Sequence, residues 1–197
     1  MILKLNIIIG STRPGRVGPT IGKWFEKFAR ENSDFEVELV DLADFKLPLL
    51  DEANHPVMQQ YEHEHTKKWS ASVASADAFV FLTPEYDSFP PASLLNALQA
   101  LVKEWAYKPA GIMSYAFVSA GLRAAMPLRL QLNALNIHAI PQGVPIPFFP
   151  QFINDQGEFT PNELTEQGAK AMLDELAKWA PALIAMREEE KKASQAA

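Results

Sequence analysis

Residues 10–16, Gly-Ser-Thr-Arg-Pro-Gly-Arg, bring two hydroxyls (Ser11, Thr12) and two guanidiniums (Arg13, Arg16) together with two glycines. The stretch lies between a β-branched run at 7–9 and a helical pattern. Backbone N–H groups opening a helix, the positive end of its dipole and fixed cations form a set suited to a phosphate. A plain strand-to-helix turn with solvated arginines uses the same residue types. Two familiar nucleotide fingerprints are missing: Gly22-Lys23 is followed by Trp24, Val17 stands where a P-loop needs its first glycine, and no Gly-x-Gly-x-x-Gly occurs. The loop leaves open whether the phosphate belongs to a nucleotide, a flavin or a sugar.

A second stretch with chemical potential, Thr83-Pro84-Glu85-Tyr86-Asp87, follows the apolar run at 78–82. Other candidates carry less. His63 and His65 are two apart and do not share a helix face, so polar helix surface is the simpler reading than a metal pair. His55 precedes a proline, His138 opens a strand pattern, and neither shows a Ser or Asp partner for a hydrolase triad. The aromatic run Phe148-Phe149-Pro150-Gln151-Phe152 reads equally as a lid, a subunit contact or core.

The elements that must position these residues alternate in period. Apolar or alternating runs at 3–9, 35–42, 78–82, 108–115 and 137–146 read as strands. The last is interrupted by prolines, which places it at a sheet edge. Helical stripes run through Val17, Ile21, Phe25 and Phe28, through 57–75, through 93–105 and through 122–135, with Pro127 expected near the start of the last. Thr160-Pro161-Asn162-Glu163 fits a capping box for a final helix that Pro181 should bend or interrupt. The alternation predicts a parallel α/β sheet. One domain is expected over residues 1–186, followed by a charged tail at 187–197 that frays into solvent.

Composition narrows the function classes. The chain has 197 residues, 48% of them hydrophobic, a formal charge of −6 and no cysteine. It is long enough for one sizeable core. The negative charge argues against broad binding to nucleic acid or anionic membranes. No thiolate can act, so redox chemistry would need a cofactor. The apolar runs are too short to cross a bilayer and the N-terminus lacks a leader pattern, which together predict a soluble, cytoplasmic protein.

Taken in order, Gly10–Arg16, Thr83-Pro84-Glu85-Tyr86, Leu95-Asn96-Ala97-Leu98, Glu104-Trp105, Lys108-Pro109 and Ser114-Tyr115 resemble the NADPH-dependent FMN reductase family, over about residues 7–129. The resemblance implies a flavodoxin-like three-layer α/β sandwich with a five-stranded parallel sheet of order 2-1-3-4-5. It also implies FMN as cofactor, NADPH or NADH as donor, and a small acceptor such as a quinone, flavin, azo compound or metal oxyanion. A homodimer or homotetramer with the site near an interface goes with it. By position, Ser11, Arg13 and Arg16 would hold the FMN phosphate, and the main chain of Pro84, Glu85 and Tyr86, with Asp87 beside it, would edge the isoalloxazine. Ser114 and Tyr115 would begin a third ring-facing loop that includes Phe117. No catalytic side chain and no metal is implied, because the flavin carries the hydride chemistry.

Two departures bear on that site. The family pattern has Asn where this chain has Asp87, and Gly-Gly where it has Ala116-Phe117. A carboxylate near the ring would oppose negative charge on reduced flavin. Phe117 either stacks on a flavin or takes its space. Two rival readings follow, a flavodoxin-like electron carrier and a scaffold that has lost FMN and serves as a binding or regulatory protein.

Overall fold

A computed structural model describes residues 2–196. Five strands, β1 (Lys4–Ile9), β2 (Glu36–Asp41), β3 (Ala78–Pro84), β4 (Lys108–Tyr115) and β5 (Ile137–Ile146), form one sheet in the order β2-β1-β3-β4-β5. Every neighbouring pair is parallel, and the register β1/β3 sets Ile9 against Leu82. The order is the one expected. It reverses direction between β1 and β3, so the loops leaving the C-terminal ends of those strands flank one crevice.

The sheet is covered on both faces, which is why β3 is apolar throughout. Leu5, Ile7, Ile9, Val80 and Leu82 face α1 (Gly18–Asn32) and α6 (Glu163–Ala196), where they meet Ile21, Phe25, Met172 and Leu176. Ile8, Phe79 and Phe81 face α3 (Glu64–Ser75), α4 (Ala92–Gln99) and α5 (Leu122–Ala134), where Trp69, Leu98, Trp105 and Leu128 fill the opposite layer. A single-turn helix, α2 (Leu42–Phe45), follows β2 and is capped by Asp41, whose Oδ1 accepts the Ala43 N–H at 3.0 Å.

Several boundaries depart from the sequence pattern for local reasons. Residues 57–63 do not belong to α3: Pro56–Met58 is a 3₁₀ turn ended by Gln59 at φ 54°, and the helix starts at Glu64. The stripe predicted over 93–105 ends at Gln99, and Trp105 reaches the core from the following turns, its indole N–H donating to Leu98 O at 3.2 Å. Pro127 lies in the second turn of α5, inside the helix. The cap of α6 is Asn162, not Thr160: its Oδ1 accepts the backbone N–H of Thr165 at 3.0 Å. That helix then continues through Pro181 and on to Ala196, where the sequence predicts a tail fraying from Arg187. Arg187 itself is anchored, donating to Asp77 Oδ1 at 2.8 Å and to Tyr107 O at 3.0 Å.

Candidate functional site

Three loops meet at the C-terminal edge of the central strands. The first, between β1 and α1, is fastened at its root. The Gly10 N–H donates to Leu82 O at 2.9 Å and the Ser93 hydroxyl donates to Gly10 O at 2.7 Å. Gly10 has no room for a side chain, since a Cβ there would stand 2.9 Å from Leu94 Cδ2. Beyond Ser11 the loop opens, and Thr12, Arg13, Pro14 and Gly15 are exposed. Gly15, at φ 72°, turns the chain back toward α1.

The polar groups of this loop divide into two kinds. Ser11 is fully buried, its hydroxyl 2.8 Å from the Tyr86 hydroxyl, and it accepts the Arg13 N–H at 3.4 Å. It ties the first loop to the second. Arg13 is exposed, its guanidinium 6.0 Å from the Tyr86 ring centroid. Arg16 is partly buried and paired with Asp41, Nη2 to Oδ2 at 2.5 Å, while its buried Nε has no acceptor. Asp41, at the end of β2, thus caps α2 with one oxygen and holds Arg16 with the other. A polar cleft of about 190 Å³ adjoins the loop, lined in part by Thr12, Lys46 and Ser93.

The second loop follows β3. Pro84 is buried, and the Glu85 N–H donates to Tyr115 O at 3.2 Å, extending the strand pairing. Tyr86 and Phe89 then exchange backbone hydrogen bonds, both at 2.9 Å, around Asp87 (φ 49°) and Ser88 (φ 70°). Two successive left-handed residues between a paired couple make a type I′ turn, which favours Asn, Asp and Gly. Asp87 therefore has a backbone reason for its place, and its side chain is exposed.

In the third loop the structure separates the three expected residues. Ser114 is buried and its hydroxyl donates to Ala120 O at 2.9 Å. Tyr115 is also buried and points back to the first loop, its phenol oxygen packed against Gly18 at the start of α1, where a Cβ would stand 3.4 Å from it. Burial, with Tyr86 nearby, pushes the Tyr115 phenol above the usual tyrosine range against a lowering by Arg16, so it stays neutral. Only Phe117 reaches the surface, where it packs against Phe149 with ring centroids 5.7 Å apart. Phe149 stands in turn edge-on to Tyr115 at 5.3 Å, so the 148–152 run closes over the third loop.

Ser11, Tyr86, Tyr115, Arg16 and Glu85 are thus brought together with exposed Arg13, Asp87 and Phe117 around one crevice. Sequence reading missed Asp41, Ser93 and Ser119, whose partners are distant in the chain; only Asp41 carried a local signal, as a helix cap. Away from the crevice, the His63 and His65 rings stack 5.2 Å apart, because His63 precedes α3 instead of lying on it. His65 Nε2 lies 3.1 Å from Asp51 Oδ1. Among the described residues no group of three His, Cys, Asp or Glu side chains could hold a metal ion, and no helix is long and apolar enough to cross a membrane.

Residues 3–151 match the family described as NADPH-dependent FMN reductase. The chain belongs to that family. The family's description names FMN and NADPH, and relatives of this chain are named for NAD(P)H-dependent reduction of FMN. An NAD(P)H-dependent FMN reductase of Schizosaccharomyces pombe is 44% identical over 57% of this chain and 57% of its own length. One from Nectria sp is 36% identical over 74% of this chain and 75% of its own. Among solved structures, the flavoenzyme NAD(P)H:(acceptor) oxidoreductase FerB from Paracoccus denitrificans superposes with a TM-score of 0.70 at 20% identity, covering 92% of this chain and 98% of FerB. That likeness establishes the flavodoxin-like fold.

The site fits the phosphate end of such a cofactor. The buried Arg16 Nε is a donor lacking an acceptor, and Arg13 adds an exposed cation on the same loop.

Proposed function

We propose that this chain is an NAD(P)H-dependent FMN reductase whose acceptor is a small planar aromatic molecule of the quinone class. The observation that carries the reading is the buried Nε of Arg16 without an acceptor, beside Arg13 and next to the strand-order reversal where ligands of such sheets bind. Arg13 and Arg16 would hold the phosphate, and the segment Pro84–Tyr86 would line the ring. When bound, FMN supplies the hydride chemistry between donor and acceptor. The chain itself contributes position and shielding. Its Ser11–Tyr86 tie fixes the first loop against the second, and the Tyr115 phenol packs against the start of α1.

The acceptor class rests on the rim of the crevice. Phe89, Phe117 and Phe148 are exposed there and Phe149 backs Phe117, which gives an apolar, aromatic rim suited to flat rings and poor for an oxyanion. A 2-hydroxy-1,4-benzoquinone reductase from Burkholderia sp is 30% identical over 56% of this chain, in agreement with that choice.

We further propose a homodimer in which α5 faces its copy. Leu122, Met126 and Leu130 stand exposed at helical spacing, and with Phe89 they flank an open groove of about 400 Å³ beside the second loop. Light scattering of the Leu130→Lys variant tests this: a monomer is expected, and a wild-type monomer would refute it.

Visible spectra of the purified protein test the main reading. Flavin bands retained after desalting and bleached by anaerobic NADPH are expected, recovering faster with benzoquinone than with chromate. Absence of bound flavin after FMN loading would overturn the reading, and faster recovery with chromate would overturn the acceptor class.

A further inference from the structure

Glu85 carries a buried carboxylate in the second loop, its side chain 8% exposed. Oε2 accepts the Ser119 hydroxyl at 2.7 Å and the backbone N–H of Arg123 at 3.2 Å, and Oε1 stands 3.6 Å from the exposed Arg123 guanidinium. All three contacts cross from the loop after β3 to the loop after β4 and the first turn of α5. That helix begins from Gly121, which has no side chain to cap it and lies at φ 79°. Glu85 supplies the missing cap from another loop, a carboxylate at a helix N-terminus accepting an amide hydrogen.

The rest of the third loop depends on the same strut. Ser119 Oγ also accepts the Gly121 N–H at 3.4 Å, and Ser119 O accepts that of Leu122 at 2.9 Å. From the sheet side, Ser114 holds Ala120 O. The short segment 116–121, with Phe117 exposed on it, hangs between Glu85 and Ser114.

We propose that the Glu85 carboxylate is a positioning group for the ring-facing third loop, acting through Ser119 and the first turn of α5, while only the main chain of Glu85 edges the ring. The inference rests on the flavin reading above. Its consequence is selective: removing the carboxylate loosens the ring side of the crevice and leaves the phosphate side, with Arg13 and Arg16, intact.

The test titrates apo-protein of the wild type, Glu85→Ala, Glu85→Gln and Ser119→Ala with FMN and with riboflavin, which lacks the phosphate. Hydrogen exchange of residues 122–125 is followed in the same apo-proteins. Glu85→Ala should weaken both flavins by the same factor, about tenfold, the scale of a lost charge-assisted hydrogen bond. It should also speed exchange at 122–125. Glu85→Gln, which keeps an acceptor oxygen, should restore most of both, and Ser119→Ala should show the same pattern more weakly. These two variants keep the test decisive if Glu85→Ala does not fold. Weakening of FMN alone would place Glu85 on the phosphate side and overturn the proposal, as would unchanged exchange and affinity. If the wild type binds neither flavin, the flavin reading fails by itself, and exchange in the apo-protein still judges the strut.

Discussion

The first loop and the third loop sit at the ends of strands β1 and β4 in the same crevice, yet they are built on opposite terms. Between Thr12 and Gly15 the first loop is exposed, and its two arginines hold charge either facing solvent or paired to Asp41 with a donor to spare. The third loop is nearly saturated by partners in the protein itself. Ser114, Glu85 and Ser119 bind its backbone or one another, and only the Phe117 and Val118 side chains stand well out. A loop that recognises charge can leave its donors unused, because the ligand completes them. A loop that recognises a flat apolar surface has to be shaped in advance, because dispersion contacts orient nothing by themselves.

The sharpest break in this contrast comes at Gly121. A Cβ there would stand 2.7 Å from Ser114 Cβ and from the Tyr115 backbone nitrogen, in a conformation at φ 79° that favours glycine. Gly121→Ala should cost about 2–4 kcal/mol in stability by urea unfolding, since both sterics and backbone strain act at once. Gly15, also at positive φ, has open space around it, so Gly15→Ala should cost only about 1 kcal/mol by the same measurement.

On the charge side, Arg13→Ala should weaken FMN by about 1.5–3 kcal/mol, the scale of a charge-assisted hydrogen bond to phosphate, with riboflavin binding unchanged. Calorimetric titration reads both, and equal losses for the two flavins would merge the regions. Phe117→Ala should raise KM for benzoquinone about three- to fivefold, less than 1 kcal/mol, as one partly exposed ring is lost. Steady-state kinetics with FMN saturating checks this. The smallest effect belongs to Asp87→Asn, which keeps the type I′ turn and should change stability by no more than about 0.5 kcal/mol.

How much of this could be read in the sequence follows the same division. The strands were legible because apolar runs such as 78–82 must be covered on both faces, and the structure covers them with α1 and α6 on one side and α3, α4 and α5 on the other; their order was implied by the family resemblance alone. The two arginines were legible as charge. The roles of Ser11, Ser114 and Tyr115 were not: each lies in a motif that points to a ligand, but the folded chain buries them, with the Ser11 hydroxyl joined to the second loop, the Ser114 hydroxyl to Ala120 O and the Tyr115 phenol packed against Gly18. Asp87 shows the converse. The sequence presents it as an electrostatic problem for a flavin, whereas the backbone requires a residue tolerant of positive φ at that turn. Helix ends were least legible where capping is decided by neighbours, as Asn162 prevailed over Thr160 and Gln59 stopped the pattern ahead of α3.

In the proposed function, the loop between β1 and α1 holds a phosphate while the loops after β3 and β4 hold a ring. Titrating the apo-protein with FMN and riboflavin side by side tests it most directly. Two charge-assisted contacts predict FMN binding at least about 100-fold tighter than riboflavin, with the gap narrowing as salt rises. Equal affinity for the two flavins at low salt would contradict it.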